Sequence, residues 1–346
     1  MPSKRIYIYG VMPNFYSPDM FRTFEDSGIY AIPLQNISAV VSDRDDEDID
    51  YLDRESLGYL LVHHQETIEG LQNKGFNMFI PMKLGTIVSS KEEVVKLLAN
   101  GHDLIIETLK KVEFLTEIDL AVTWANFGGV IQEVAAHPEI VALREEILNK
   151  ANALSQLDQV KVGMMIKEKL DKKNKQVELR ILDALSSISI DIKTHEVMND
   201  QMITNSAFLL NNNNKDKFEA KIDKLDAEFE DALSFKLVGP LPCYSFYTLE
   251  VIVLDPVLVE QAKNDLDLND ETSETEIKKA YLTKAKLFHP DTNQHNGNQE
   301  SFNRINKSYH ILLDYTTAAK QSSKDEKISL TKENVAKNLI LVKLKD

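Results

Sequence analysis

The sequence predicts an α+β protein in three parts: two α/β sandwich-like domains in succession, then a small all-α helical hairpin. Three observations predict this. Alternating apolar stretches and helically spaced stretches are interleaved from the N-terminus to about residue 250. Between residues 117 and 238 they follow the order strand, helices, strand, strand, helix, strand. From about Val257 to Lys320 there is no strand signal, only helical spacing. The boundaries that follow are 1–115, 116–256 and 257–320, with a polar tail over 321–346. A chain of 346 residues suits two or three domains.

In the first part, Lys4 to Met12 alternates and is rich in Ile and Tyr, which predicts a strand. Ile29 to Leu34 and Ile37 to Ser42 are two more. The acidic run Asp43 to Asp50 lacks the glycine and the later bidentate Glu of a calcium loop, so it reads as a solvated loop. A helix runs from about Leu57 to Leu71, closed by Lys74-Gly75. Asn77 to Val88 reads as a strand and Lys91 to Phe114 as a helix. In the second part, Glu117 to Trp124 alternates as a strand. A long charged helical stretch covers Pro138 to Leu185, as one helix or two. Ser187 to Val197 and Ile203 to Leu210 read as strands, Asn211 to Asn214 as a polar turn, Lys215 to Leu233 as a helix and Phe235 to Val238 as the last strand. That order suits a ferredoxin-like split βαβ unit.

Composition narrows the function. Forty basic against fifty-five acidic side chains give a net charge of -15, which disfavours nucleic acid or an anionic membrane as partner. The single cysteine, Cys243, excludes an internal disulfide framework and a multi-cysteine zinc site and fits a reducing cytoplasm. No apolar run approaches the ~20 residues that span a bilayer. No phosphate-cradling loop, dinucleotide fingerprint or nucleophile elbow is present, and no carboxylate pair stands out by its spacing. The expectation is a protein that is not an enzyme, with no cofactor and no metal. His63-His64 face different ways on a helix and have no ligand cluster beside them.

The third part carries the most specific pattern. Ser273-Glu274-Thr275-Glu276 has capping-box form, and Ile277, Ala280, Tyr281, Ala285 and Phe288 then recur at helical spacing. Pro290 cannot continue that helix, so His289-Pro290-Asp291 falls in an enforced loop. A second helix follows, with Phe302, Ile305, Tyr309 and Leu312 on one face. The tail ends in Asn338 to Leu344, which suits an edge strand or an amphipathic helix.

The stretch Asn264 to Lys320 resembles a J domain, the module of DnaJ-type co-chaperones, through Glu276 to Tyr281, Phe288 to Asp291, Phe302 and Ile305 to Tyr309. The resemblance implies that the loop with His289, Pro290 and Asp291 docks a DnaK-type ATPase. Asp291 would offer a carboxylate to a partner arginine, and Lys278, Lys279 and Lys286 a complementary basic patch. Leu282, Thr283 and Thr292 stand where many J domains are basic. Fewer charges there slow encounter more than they alter the fold.

The first two parts resemble the gas-vesicle protein family GvpF/GvpL. Ile6 to Val11 resembles its opening strand. His64-Gln65-Glu66 leads a helix into Ile80 to Ile87, similar to the family's Pro-Leu-Arg-Phe-Gly-Thr signature, with Pro81, Gly85 and Thr86 in place. Asn205 to Leu210 resembles its Asn-Ala-Ala-Phe-Leu-Val strand. Gly239, Pro240, Leu241, Pro242, Cys243, Tyr244, Ser245 and Phe246 resemble its Gly-Pro-Trp-Pro-Pro-Tyr-Ser-Phe element, with Leu241 for Trp and Cys243 for Pro. The resemblance implies a minor protein of gas-vesicle assembly, cytoplasmic and associated with vesicles. It would bind the hydrophobic shell protein GvpA and other vesicle proteins, keep them soluble and aid nucleation, while the J domain recruits a DnaK-type chaperone. The motif glycines and prolines read either as turns or as client contacts. A general DnaJ-type co-chaperone and a structural component of the nascent vesicle are the alternatives.

Overall fold

The computed structural model describes residues 5–14, 28–44, 53–149, 155–289, 299–322, 327–336 and 338–345. The acidic run beyond Arg44 and the loop from Pro290 to Asn298 lie outside them. The chain forms two compact units. One is built from Met1–Glu113 together with Tyr247–Asp346, the other from Phe114–Phe246.

The first unit opens with an antiparallel sheet. Strands β1 (Arg5–Pro13), β2 (Ile29–Leu34), β3 (Ile37–Arg44), β4 (Ile80–Pro81) and β5 (Ile87–Val88) are ordered β2-β3-β1-β4, with β5 also on β1. β1 is buried from Ile6 to Pro13, as befits a strand covered on both faces. Its Gly10 is required by close approach. A Cβ there would lie 2.3 Å from the Phe79 ring and 2.4 Å from the Ile80 carbonyl. Between α1 (Arg54–Asn73) and α2 (Lys91–Asn100), the stretch predicted as one strand from Asn77 to Val88 contains only the two-residue strands β4 and β5. Gly85, at φ +87°, turns the chain back between them. The predicted helix from Lys91 to Phe114 is two helices, α2 and α3 (His102–Val112), which meet at Gly101.

The second unit is contiguous. Strand β6 (Leu115–Trp124) leads to α4 (Phe127–Ala135), α5 (Pro138–Leu148) and α6 (Gln156–Ser186). Then come β7 (Asp191–Thr194), β8 (Met202–Asn211), a 3₁₀ turn over Asn212–Asn214, α7 (Lys215–Glu228) and β9 (Leu233–Leu241). The sheet order β7-β8-β6-β9, antiparallel throughout, is that of the ferredoxin-like split βαβ unit. Ile118, Leu120, Val122 and Trp124 alternate onto the helix-covered face and join Ile181, Leu185, Phe208 and Phe218 in one core. Helix α4 was not foreseen, and the expected strand Ser187 to Val197 shrinks to β7. Ser186 and Ser187 end α6 late, and the chain reaches the sheet only at Asp191.

The rest of the chain returns to the first unit. Strand β10 (Leu249–Val253) is followed by α8 (Pro256–Asp265), β11 (Glu271–Thr272), α9 (Glu274–Phe288), α10 (Gln299–Ser322), β12 (Ile328–Ser329), α11 (Lys332–Val335) and β13 (Ile340–Leu344). The helical region thus carries a short ladder absent from the sequence prediction, β11 with β12. The tail resolves as a strand, since β13 pairs with β10 from Leu249↔Leu344 to Val253↔Ile340. Leu249 also bridges Met82 beside β4. The outward edge of β13 is covered by side-chain amides. Gln321 donates to the Val342 carbonyl at 2.5 Å and accepts from its N–H at 3.2 Å, and Asn100 donates to the Ile340 carbonyl at 2.9 Å.

Candidate functional site

Helices α9 and α10 form the predicted antiparallel pair. Ser273 and Glu276 make the reciprocal capping box, and the bonds from Ser273 hold the Glu276 carboxyl below its usual range. Ile277, Ile305, Leu312 and Tyr315 are buried between the helices and their supports. The Tyr281 and Tyr309 rings stack at 4.1 Å, and the Tyr281 hydroxyl donates to Asn306 Oδ1 at 3.3 Å. These contacts fix the turn of α9, and so decide which residues it presents outward.

That outward face carries Lys278, Lys279, Leu282, Thr283, Lys286 and Leu287, all exposed. Lys284 is turned to another side, where it pairs with Asp267. Behind the pair, Asp265 accepts from Ser308 Oγ at 2.8 Å and faces Arg304 at 3.5 Å. His289 ends α9 in an extended conformation, and its ring packs edge-on against Phe302 at 5.2 Å. Of the loop residues, His289 is therefore placed at the end of the basic face, while Pro290 and Asp291 lie outside the described residues.

The first unit holds one further group of motif residues. Pro81 is buried in β4 opposite Gly10. Gly85 donates its N–H to the Tyr7 hydroxyl at 3.4 Å. Thr86 folds its hydroxyl onto the Lys83 carbonyl at 2.6 Å, and its own carbonyl accepts from Ile8 at 3.0 Å. The turn is stitched to β1 throughout. Beneath it the Tyr7 hydroxyl bonds buried His64 Nδ1 at 2.7 Å. Burial pushes Tyr7 up to about 12 and His64 down to about 4, so both stay neutral at pH 7. His63 is exposed and stacks on Tyr59, and both histidine rings lie against Tyr9, His63 at 6.1 Å and His64 at 5.7 Å.

The second unit holds the other group. Gly239 and Pro240 are exposed at the end of β9, joined by a cis peptide, and Gly239 lies 3.0 Å, at its Cβ position, from the Glu117 carbonyl. Pro242 and Cys243 are buried and Tyr244 half-buried. The segment closes over the sheet face opposite the helices. Ser245 donates its N–H and its hydroxyl to the two Glu117 oxygens, each at 2.8 Å, and sits 3.3 Å from His195 Nε2. Glu117 is 1 % exposed, with Asp119 beside it on the same face. Burial raises Glu117 to about 8 despite the Ser245 bonds, and burial also raises Asp119. Burial also pushes the Cys243 thiol up to about 12, which leaves it a poor nucleophile. Sequence reasoning missed this clamp. Its one local trace is a Glu-x-Asp alternation opposite the apolar row of β6, and nothing near it announces that residues 242–246 cover those acids. Among the described residues no group of His, Cys, Asp and Glu is arranged to hold a metal ion, and no helix is long and apolar enough to cross a membrane.

Comparison with known proteins accounts for both halves. Residues 5–248 match the family model of the gas vesicle synthesis proteins GvpL/GvpF, and residues 264–320 match the DnaJ domain. Gas vesicle protein F of Dolichospermum flosaquae is 23% identical over 251 residues, which are 71% of this chain and 98% of that one. Its counterpart in Haloferax mediterranei is 21% identical, over 64% of this chain and 83% of its own. The chaperone protein DnaJ 1 of Aquifex aeolicus is 43% identical over 49 residues, 14% of each chain. The crystal structure of GvpF from Anabaena superposes with a TM-score of 0.58 at 20% identity, over 70% of this chain and 98% of that one. That from Microcystis aeruginosa gives 0.56 at 19%, over 70% and 99%.

Proposed function

This chain belongs to the GvpL/GvpF family of gas vesicle synthesis proteins and carries a DnaJ domain, and from that premise we propose that it is an assembly factor that brings an ATP-driven chaperone to the vesicle shell protein. In this reading the chain binds the hydrophobic shell protein GvpA and other vesicle proteins in the cytoplasm and keeps them soluble until they are built in. A sheet-forming subunit with an apolar face aggregates when free, and a soluble acidic partner offsets that. The DnaJ domain recruits a DnaK-type ATPase to the same client.

One observation carries the reading: the basic outward face of α9 belongs to the same compact unit as the family's opening sheet. The helical pair is held there by β13, whose strand lies between Gly101 and Gln321. A chaperone docked on α9 therefore stands against the body of the assembly protein rather than at the end of a tether.

The test is a pull-down from vesicle-producing cells, comparing the full chain with its Asp291→Asn variant and reading the eluates by mass spectrometry. The expected result is shell protein retained by both and a DnaK-type chaperone by the unmodified chain alone. Many unrelated proteins without enrichment of the shell protein would replace this reading with a general co-chaperone.

A further inference from the structure

The edges of the sheets are not protected alike. The outer edge of β13 is covered by the Gln321 and Asn100 amides. β2 carries Pro33 and has α2 packed against it, with Lys91 over the Tyr30 ring at 5.0 Å. β7 is four residues long. β9 is nine residues long and, among the described residues, pairs with β6 alone. The bond from the Ala125 N–H to the Ala232 carbonyl sets the alternation of that ladder. In the same register Ser234, Lys236 and Val238 bond to Thr123, Ala121 and Asp119, so Phe235 and Leu237 direct their N–H and C=O groups away from β6. Beyond Val238 the register shifts across Gly239 and Pro240, and the regular open run ends there. Along this edge both faces of the sheet are bare. Leu237, on the face of Leu120, is 36% exposed, and Val238, on the face of Asp119, is 40% exposed. Lys236 shares the face of Val238, is exposed, and makes no ion pair with another described residue.

We propose that β9 holds a sheet-forming client by taking one extended segment of it as a fifth strand of this sheet. This rests on the assembly-factor reading above and adds where the client is held and by what groups. The occupant is an alternating segment, apolar on one side and acidic on the other. Its backbone pairs with the open N–H and C=O groups of Phe235 and Leu237. Its apolar side lies beside Leu237 and continues the apolar row of β6, while an acid on its other side meets Lys236 across the new ladder. A second copy of β9 fits less well. The antiparallel register that brings Phe235 of one copy to Leu237 of the other sets Lys236 directly opposite Lys236, and like charges there repel. A free strand edge is also what makes a sheet-forming client aggregate, so the pairing that binds the segment blunts that edge at the same time.

The experiment co-expresses the tagged full-length chain with the shell protein GvpA of the same organism. It measures the shell protein retained on the chain, and residue-resolved amide exchange along β9 with and without it. In the chain alone the Phe235 and Leu237 amides are expected to exchange fast, while those of Ser234 and Lys236 are protected by β6. With shell protein retained, Phe235 and Leu237 slow by about tenfold or more. Leu237→Pro removes one outward N–H and no bond to β6, and is expected to cut retention about tenfold. Leu237→Lys leaves the backbone whole and weakens retention through the lost apolar neighbour alone. Lys236→Glu weakens it more at low salt than at high salt. Trp124 fluorescence, read beside β9 in the same sheet, separates lost binding from lost folding. Shell protein retained while Phe235 and Leu237 still exchange fast, or retained equally by the folded Leu237→Pro variant, overturns the inference and leaves the assembly-factor reading standing. Slowed exchange that grows with the concentration of the chain alone assigns the edge to a second copy and also overturns it. No shell protein retained by the unmodified chain removes the client-holding reading and the inference with it.

Discussion

The two units differ in how the chain enters them. Phe114–Phe246 is one unbroken stretch whose four strands all come from within it, with β6 paired to β8 on one side and β9 on the other. The other unit is assembled from both ends of the chain, and residues 247–346 return to it after the whole of the contiguous unit has been made. The contiguous unit can complete its core from its own residues. The other cannot: Leu341 and Val342, 1% and 0% exposed, come from the last strand, and Val342 fills the space beside Gly101. Its DnaJ-like helices are consequently part of its structure. That ties the presentation of the α9 face to the integrity of the C-terminal strand.

The harshest way to break this comparison is to delete residues 338–346. Two fully buried side chains are worth about 1.5–3 kcal/mol each, and the β10 ladder is lost with them. The sum approaches the whole stability of a typical domain. The expected outcome is loss of amide protection throughout the discontinuous unit, from β1 to α10. The transition of Trp124, the sole tryptophan, buried in the contiguous unit and bonded to Asn174 at 2.7 Å, is expected to stay within ~0.5 kcal/mol of its original position. Retained protection in β1 would mean that the tail is decoration and the contrast is wrong.

One substitution made in both units sharpens it. Gly10→Ala drives a methyl into the Phe79 ring and the Ile80 carbonyl, and backbone cannot step aside cheaply. Overpacking of this kind costs roughly 3 kcal/mol. Gly163→Ala, in the middle of α6 with nothing within 4 Å of the new carbon, is expected to stabilise by about 0.5–1 kcal/mol. Denaturant titration followed by amide exchange for β1 and by Trp124 fluorescence checks both signs. Gly163→Ala shifting the Trp124 midpoint downward would show contacts there that open space does not explain.

The parts of this architecture that local patterns specify were legible in advance. The capping box, the helix-ending proline and the inner stripe of α9 are short-range, so the helical pair was readable from about fifty residues. The order of strands in the contiguous unit was readable because β6 alternates and the other apolar runs are set apart by helical and turn signals. What failed is what depends on a partner far along the chain. Asn77 to Val88 looks like one strand because its apolar residues are buried, yet a turn set by Gly85 divides it. The tail Asn338 to Leu344 could not be assigned because its period suits two structures, and only β10, some ninety residues earlier, decides for a strand. Glu117 and Asp119 drew no reading of their own from the sequence, because the residues that bury them, 242–246, lie more than a hundred positions later.

The buried ionisable groups give the units opposite responses to pH. In the discontinuous unit His64 has its pKa lowered from 6.5 to about 4. Below about 6.5 the unfolded chain takes up a proton that the folded chain refuses, so stability falls as pH drops through this window. In the contiguous unit Glu117 is raised from 4.5 to about 8. There the folded chain keeps a proton that the unfolded chain has released, so stability is full below about 4.5 and is lost as pH rises toward 8. Acidification to pH 5 should loosen β1 and tighten β6. His64→Gln should flatten the first response, Glu117→Gln the second, each leaving the other unit unchanged. Amide exchange corrected for its intrinsic pH dependence measures both. Parallel pH profiles for the two units would sink this account.

The gentlest test concerns how the last strand is held rather than whether it is present. Gln321 satisfies the N–H and the carbonyl of Val342 with a single carboxamide, on the edge where a further strand would otherwise add. Gln321→Ala removes two hydrogen bonds and exposes that edge. Each such bond contributes about 0.5–1.5 kcal/mol net, so the discontinuous unit should lose about 1–2 kcal/mol without unfolding. Asn100→Ala, with one bond to the Ile340 carbonyl, should lose about half as much. The two losses should add to less than their sum, because both amides restrain the same strand and its ends are already fixed by the β10 ladder. A double-mutant cycle read at β13 by amide exchange measures this. Full additivity would mean that the two ends of β13 open independently, and that the strand joining the DnaJ-like helices to the opening sheet transmits no constraint between them.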